Sequence, residues 1–304
     1  MLLDELRLAH TPLSKARSGL FGLAFELLHR DYALAAFARR VRPDIMCGFG
    51  GVAISHVGRA LSIPAIAFYD TDRAVLQQHL TLPFLTHQYV PEVYDGPAKA
   101  DRHTRFRGNK ALSYFHPAYF QVDATRAVAA GLEQATPNYV IRLVNWQSNH
   151  DIGKRGWSLV GVRRIVEHLS QQGRVHISSE RELPEDLLPH GYRGSLTDFH
   201  HLLGCSDLYL GESATVATEA VLLGVPAVYA VEDRRSYIDE LARVGLLTSV
   251  AMQDAEDLLP VLDAVASQPR AKLLSLRDAW LQPQVDLVRN VVDRIEQHAV
   301  TRVS

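Results

Sequence analysis

The stretch 211-GESATVATEA-220 places a hydroxyl, two small residues and a carboxylate where an apolar run ends and a helical pattern begins. A helix start presents backbone N–H groups with no intrahelical partner and about half a positive charge, so it readily receives a phosphate. Ser213 is the expected cap. Ala214 and Thr215 are small enough to let an anion approach the backbone. Glu219, four residues beyond Thr215, falls on a nearby face of the same helix. A carboxylate binds phosphate poorly but accepts hydrogen bonds well from paired ribose hydroxyls. The two features together suit a nucleoside diphosphate. The same pattern also describes a well-capped helix that binds nothing, and spacing alone does not separate the two.

Three further clusters carry chemical groups. The polar loop 145-NWQSNHDIG-153 follows the apolar run 138-NYVIRLV-144. Trp146 can stack on a base or pack in the core. Ser148, Asn149 and His150 can bind phosphate or sugar, and Asp151 can orient His150 as an acid–base pair. The triplet 70-DTD-72 follows the run 64-PAIAFYD-70. Asp70 or Asp72 can serve as a general base toward an acceptor hydroxyl, or form an N-cap with an acidic first turn. The segment 48-GFGGVAISH-56 is a Gly-rich strand-to-helix turn. It fails the dinucleotide fingerprint because Ala53 stands at the third glycine. Gly50 and Gly51 either make a tight turn or form the wall of a cleft, with His56 facing a ligand in the second case. Lys110, His116, Ser179 and Glu180 are lesser candidates. His200 and His201 share a helix without a metal-ligand set and are expected to be ordinary.

The elements that must hold these groups alternate strand, loop, helix and strand, the order of a parallel sheet with right-handed crossovers. Strands are expected at 44–50, 64–70, 87–91, 138–144, 174–179, 207–211 and 227–231. Helices are expected at 52–63, 158–173, 196–206, 236–246 and 284–300. The polar, Gly- and Pro-containing stretch 94–120 reads as the end of a first domain, after which the pattern restarts. The expected division is 1–125 and 126–304, with the terminal helix 284–300 in the second domain. Ligands in open parallel sheets bind beyond the strand C-termini, and all the clusters above lie there.

The 304 residues are 47% hydrophobic and 22% charged, with a net charge of −2. That balance excludes a nucleic-acid binder of the basic type. No apolar run reaches bilayer length and no signal peptide is apparent. Cys47 and Cys205 are expected as buried, reduced thiols of a cytoplasmic protein. The segment 20–41 is amphipathic and is followed by Arg42, with Arg39 and Arg40 in its last turn. It reads as a packed surface helix, with peripheral membrane contact as the alternative.

The run 212-ESATVATEAVLLGVPAV-228 resembles the nucleotide-sugar motif of UDP-N-acetylglucosamine 2-epimerases and of the N-acetylglucosaminyl transferase of peptidoglycan synthesis. There a Ser-Gly pair is followed by Glu and a Gly-x-Pro, the helix start holds the diphosphate and the Glu holds the ribose. The resemblance assigns the first role to Ser213, Ala214 and Thr215 and the second to Glu219, with Gly224 and Pro226 closing the motif. Ala214 and Thr215 replace the family's glycines, which narrows the approach.

A wider resemblance joins 44-DIMCGFGGVAISHV-57, 64-PAIAFYDTD-72, 145-NWQSNHDIG-153, 176-HISSE-180 and 211-GESATVATEA-220 to the prokaryotic domain of unknown function 354. It implies a GT-B-like α/β fold of two Rossmann-like domains facing a cleft, with Ser179 and Glu180 near the base. The implied substrate is a nucleotide sugar, UDP-linked, with a glycan or lipid-linked acceptor, no separate cofactor and no metal. On that fold 70-DTD-72 is not the metal motif of GT-A transferases. Glycosyl transfer in surface-polysaccharide or glycolipid synthesis is the implied activity. An epimerase and a non-catalytic binding module are the alternatives. The family's opening strand and Gly-His-Pro-x-His loop have no counterpart here, so the N-terminal domain is expected to be truncated. An exposed sheet edge is then expected, which a homo-oligomer would cover.

Overall fold

The computed structural model describes residues 2–14, 19–145, 156–233, 235–251 and 255–300. Trp146, Ser148, Asn149, His150 and Asp151 of the polar loop lie outside the described residues. In chain order the first elements are α1 (Leu2–Glu5), α2 (Leu20–Val41), β1 (Met46–Phe49), α3 (Val52–Leu61), β2 (Ala65–Phe68), α4 (Val75–Thr81), β3 (His87–Pro91) and β4 (His103–Phe106). There follow α5 (Leu112–Phe115), α6 (Ala124–Ala129), β5 (Asn138–Leu143), α7 (Leu159–Ser170), β6 (Arg174–Ser179), a 3-10 turn (Glu185–His190), α8 (Leu196–Cys205), β7 (Leu208–Gly211), α9 (Ala214–Leu222), β8 (Ala227–Ala230), α10 (Ser236–Arg243), β9 (Thr248–Val250), α11 (Ala255–Ala266), α12 (Arg270–Leu281) and α13 (Leu287–Val300). Among the described residues no helix is long and apolar enough to cross a membrane.

The chain forms two compact units, one of residues 1–110 with 285–304 and one of residues 111–284. This differs from the sequence division at 125 in two ways. The first unit ends earlier, at Lys110, after a fourth strand that the polar stretch 94–120 conceals. The terminal helix α13 belongs to the first unit, where His298 Nε2 meets the Tyr89 hydroxyl at 3.0 Å and Arg294 lies over the Tyr89 ring. β4, HTRF, has only Phe106 buried, so it offers no apolar run to a sequence reader.

The first unit carries a parallel sheet in the order β1-β2-β3-β4. β1 pairs with β2 in the register Met46↔Ala65 through Phe49↔Phe68. All of β2 is buried, as a central parallel strand requires. The core on one face joins Ala38, Met46, Val57, Ile63, Ala65, Ala67 and Leu85. β1 is an edge strand, and Cys47 and the Phe49 ring, 49% accessible, are exposed. Cys47 is therefore not the buried thiol expected from its apolar neighbours, and Cys205 is only partly buried. On an edge strand one face need not be covered, so hydrophobic sequence does not imply burial.

The second unit carries a parallel sheet in the order β6-β5-β7-β8-β9. β5, β7 and β8 are central and read as nearly continuous apolar runs. Their core includes Ile141, Leu143, Ile165, Val175, Ile177, Leu210 and Val228, with Leu258 and Leu262 of α11 packed on it. Each such side chain, fully buried, contributes about 1.5–3 kcal/mol relative to exposure. The connection from β5 runs to β6 on one side, while β7 leads to β8 on the other. The strand order therefore reverses between β5 and β7, the position at which open parallel sheets bind ligands beyond the strand C-termini.

Candidate functional site

The reversal sets the end of β5, at Leu143, beside the end of β7, at Gly211, with Arg142↔Gly211 in register. Gly211 is needed here, since a Cβ would sit 2.5 Å from the Tyr209 hydroxyl and 2.8 Å from the Arg142 carbonyl. Tyr209, fully buried, donates that hydroxyl to the Ser213 carbonyl at 3.1 Å. Burial pushes its ionisation well above the ordinary tyrosine range, so it remains a donor. The turn from β7 into α9 is thus fixed from beneath.

Ser213 is the N-cap of α9, and its Oγ accepts from the Val216 N–H at 3.3 Å. Its carbonyl accepts from the Ala217 N–H at 3.0 Å. The cap leaves the N–H groups of Ala214 and Thr215 without an acceptor among the described residues. Ala214 is buried and Thr215 exposed, so the opening of this helix start lies over Thr215. Glu219 lies one turn on, half-buried, with Oε2 3.5 Å from His200 Nε2 of α8. α8 is itself well started, because Ser195 Oγ accepts from the Asp198 N–H at 3.0 Å.

Next to Ser213 stands Glu212, 2% accessible. Its Oε2 accepts from the Val144 N–H at 2.8 Å and its Oε1 from the Trp157 N–H at 2.6 Å. Arg181 Nη2 lies 3.5 Å from the same carboxylate, and Arg181 Nη1 donates to the Trp157 carbonyl at 3.1 Å. Trp157 is buried and donates its indole N–H to the Ala230 carbonyl at 2.7 Å. One buried carboxylate therefore ties the end of β5 to residue 157, thirteen positions after Val144. Hydrogen bonds to a charged group are worth about twice neutral ones. Sequence reasoning missed Glu212, Trp157 and Arg181. The available signal was an acid directly after the apolar run 207–211 and before the cap, where a charge must find partners or not be buried.

Ser179 and Glu180, expected near a base, lie at the end of β6. The Ser179 hydroxyl donates to the Arg181 carbonyl at 2.7 Å and closes a turn. Glu180 takes Arg142 through one oxygen and the Asn145 N–H, at 3.2 Å, through the other. Arg142 Nη1 also donates to Ser178 Oγ at 2.7 Å. These polar groups serve one another and brace the strand ends.

In the first unit, Asp70 and Asp72 follow β2. Asp70 is 3.5 Å from Lys110 Nζ and is partly accessible. Asp72 is 6% accessible and its Oδ1 accepts from the Asp95 N–H at 3.4 Å. Neither caps α4, whose N-cap is Ala74. Gly51 is the N-cap of α3 with φ 121°, and a Cβ there would meet the Ile54 side chain at 2.6 Å. Gly50, with φ 80°, donates its N–H to the Phe68 carbonyl at 2.9 Å. Both glycines make the tight turn the sequence allowed. Both His56 ring nitrogens have partners within the unit: Nδ1 meets Asp31 at 2.7 Å and Nε2 meets the Leu80 carbonyl at 2.9 Å. His116 Nδ1 accepts from the Ala118 N–H at 3.2 Å.

The family profile of DUF354, a protein of unknown function, matches residues 9–278, and the chain belongs to that family. The search of curated proteins gives no match. The fold is shared with solved structures of GT-B proteins. Spinosyn forosaminyltransferase SpnP has a TM-score of 0.65 at 14% identity, over 98% of this chain and 88% of its own. The UDP-GlcNAc 2-epimerase of Neisseria meningitidis, bound to UDP-GlcNAc, has a TM-score of 0.63 at 13% identity, over 99% and 87%. MurG of Acinetobacter baumannii has a TM-score of 0.54 at 14% identity, over 97% and 87%. At these identities the likeness establishes the α/β fold with two parallel sheets.

Proposed function

We propose that the second unit binds a nucleoside-diphosphate sugar, UDP-linked, and that the protein transfers the sugar to a glycan or lipid-linked acceptor. The observation that carries this reading is the placement of an open helix start and a ribose-competent carboxylate together at the strand-order reversal. The diphosphate sits on the first turn of α9 at Ser213, Ala214 and Thr215, and the ribose hydroxyls donate to Glu219. A fold shared with a protein crystallised with UDP-GlcNAc supports the ligand class. Glu212 does not repel the diphosphate directly, because its charge is turned toward Val144, Trp157 and Arg181.

In transfer, the bond between the anomeric carbon and the diphosphate oxygen breaks, and negative charge grows on the leaving group. Preorganised N–H groups at the start of α9 stabilise that charge without reorganising. The acceptor hydroxyl loses its proton to a general base as the new glycosidic bond forms.

The fate of a UDP-sugar tests the reading. Incubation with UDP-GlcNAc and a membrane-glycolipid extract should release UDP and label the acceptor, and Glu219→Ala should slow release about tenfold or more at sub-saturating donor. Change of configuration at C2 of UDP-GlcNAc would instead favour the epimerase, a reading the 2-epimerase fold neighbours support. Tight binding with neither product would identify a non-catalytic module.

A further inference from the structure

His200 is a histidine in an aromatic setting with one outlet. Its ring lies 4.7 Å from Phe115, 5.8 Å from Tyr114, 5.8 Å from Phe199 and 6.3 Å from Phe120, centroid to centroid. Nδ1 is buried and meets no partner among the described residues. A buried ring nitrogen without a partner is costly, and a phenylalanine would avoid the cost while filling the same space. The other nitrogen, Nε2, points to Glu219 Oε2 at 3.5 Å. Both side chains keep some access to solvent, 21% for His200 and 13% for Glu219. The contact is long for a hydrogen bond, as such contacts commonly are before a ligand draws them together.

We propose that His200 is a positioning residue for Glu219: it holds that carboxylate in the orientation that receives the ribose hydroxyls, and so sets a preference for ribo- over 2′-deoxyribonucleotides. The aromatic rings act by fixing His200, and His200 acts through Glu219. A flexible glutamate can rotate away from a diol, whereas one held through Oε2 keeps its remaining lone pairs directed. The preference arises because a ligand lacking the 2′-hydroxyl leaves an acceptor of Glu219 unmatched. This inference rests on the nucleotide-sugar assignment above.

The test is calorimetric titration of the full chain with UDP and with 2′-deoxy-UDP, in four forms: wild type, Glu219→Ala, His200→Phe and His200→Gln. The wild type should prefer UDP about tenfold. Glu219→Ala should abolish the preference. His200→Phe keeps a ring in the cluster but removes Nε2, and should cut the preference at least about threefold with little change in melting temperature. His200→Gln restores a donor and should recover it. A His200→Phe protein that keeps the wild-type preference, or loses affinity for both nucleotides equally, overturns the inference while leaving the nucleotide seat intact. Should His200→Phe not fold, a folded His200→Leu that keeps the preference overturns it equally. If the wild type binds neither nucleotide, or Glu219→Ala binds both as before, the assignment of the seat fails and the inference with it.

Discussion

The two sheets of this protein are built from the same parallel unit and differ in one topological respect. In the first unit the strands follow one another in order, β1-β2-β3-β4, and every connection steps the same way. In the second, β6 lies on one side of β5 and β7 on the other, so the order reverses. The polar groups of the two units are arranged differently. The second unit places a buried carboxylate and a capped helix start at the end of β7, beside β5, with Glu219 one turn on. The first places its carboxylates after β2 and seals His56 between Asp31 and Leu80. The contrast teaches that strand order, which no local motif encodes, decides which strand-end cluster lies at a reversal.

The largest effect that sharpens this contrast is expected at Glu212. Glu212→Ala removes the acceptor for two backbone N–H groups and the partner of Arg181, and should cost about 3–5 kcal/mol of unfolding free energy. The matched deletion in the first unit, Asp31→Ala, should cost about 1–2 kcal/mol. Urea denaturation of both measures the difference, and equal costs would break the comparison.

Next in size is a pH effect at one histidine of the second unit. Buried His176 donates from Nε2 to Asn138 Oδ1 at 3.0 Å, and burial lowers its pKa to about 4. The folded state therefore resists a proton that the unfolded chain accepts near pH 6.5. Its contribution is complete above pH 6.5 and declines as pH falls toward 4, by roughly 3 kcal/mol in all. Stability measured across that window should flatten by about this amount in His176→Gln.

Within the first unit, the exposed edge should be less sensitive than the centre. Phe68→Ala, in the centre of the sheet, should cost about 3–5 kcal/mol, whereas Phe49→Ser at the edge, where the half-accessible ring packs against Phe68, should cost about 1 kcal/mol. A large cost at Phe49 would mean that the ring is covered in solution. The smallest effect concerns the thiols: Cys47, exposed, should react with a thiol reagent in the native protein faster than the half-buried Cys205.

Much of this architecture is legible in the sequence because central parallel strands are apolar throughout. NYVIRL, LYLG and AVYA announce themselves. The cap at Ser213 is equally legible, since a hydroxyl before a helical pattern has few other uses. What escapes is whatever depends on partners distant in sequence. β4 is invisible because only Phe106 of its four residues is buried. The return of α13 to the first unit depends on Tyr89, more than two hundred residues earlier. Glu212 and Trp157 meet across 55 positions, and His200, ordinary in sequence, gains its meaning from Glu219 and three separate aromatic segments.

The central claim is that the start of α9 with Glu219 seats a nucleotide. Calorimetric titration of the purified chain with UDP, wild type against Glu219→Ala, tests it most directly. The account predicts saturable binding by the wild type and a loss of at least about tenfold, or about 1.4 kcal/mol, in the variant at unchanged melting temperature. Equal affinities in the two proteins, or no heat from UDP or any other nucleotide, would contradict it and leave 211-GESATVATEA-220 as a capped helix alone.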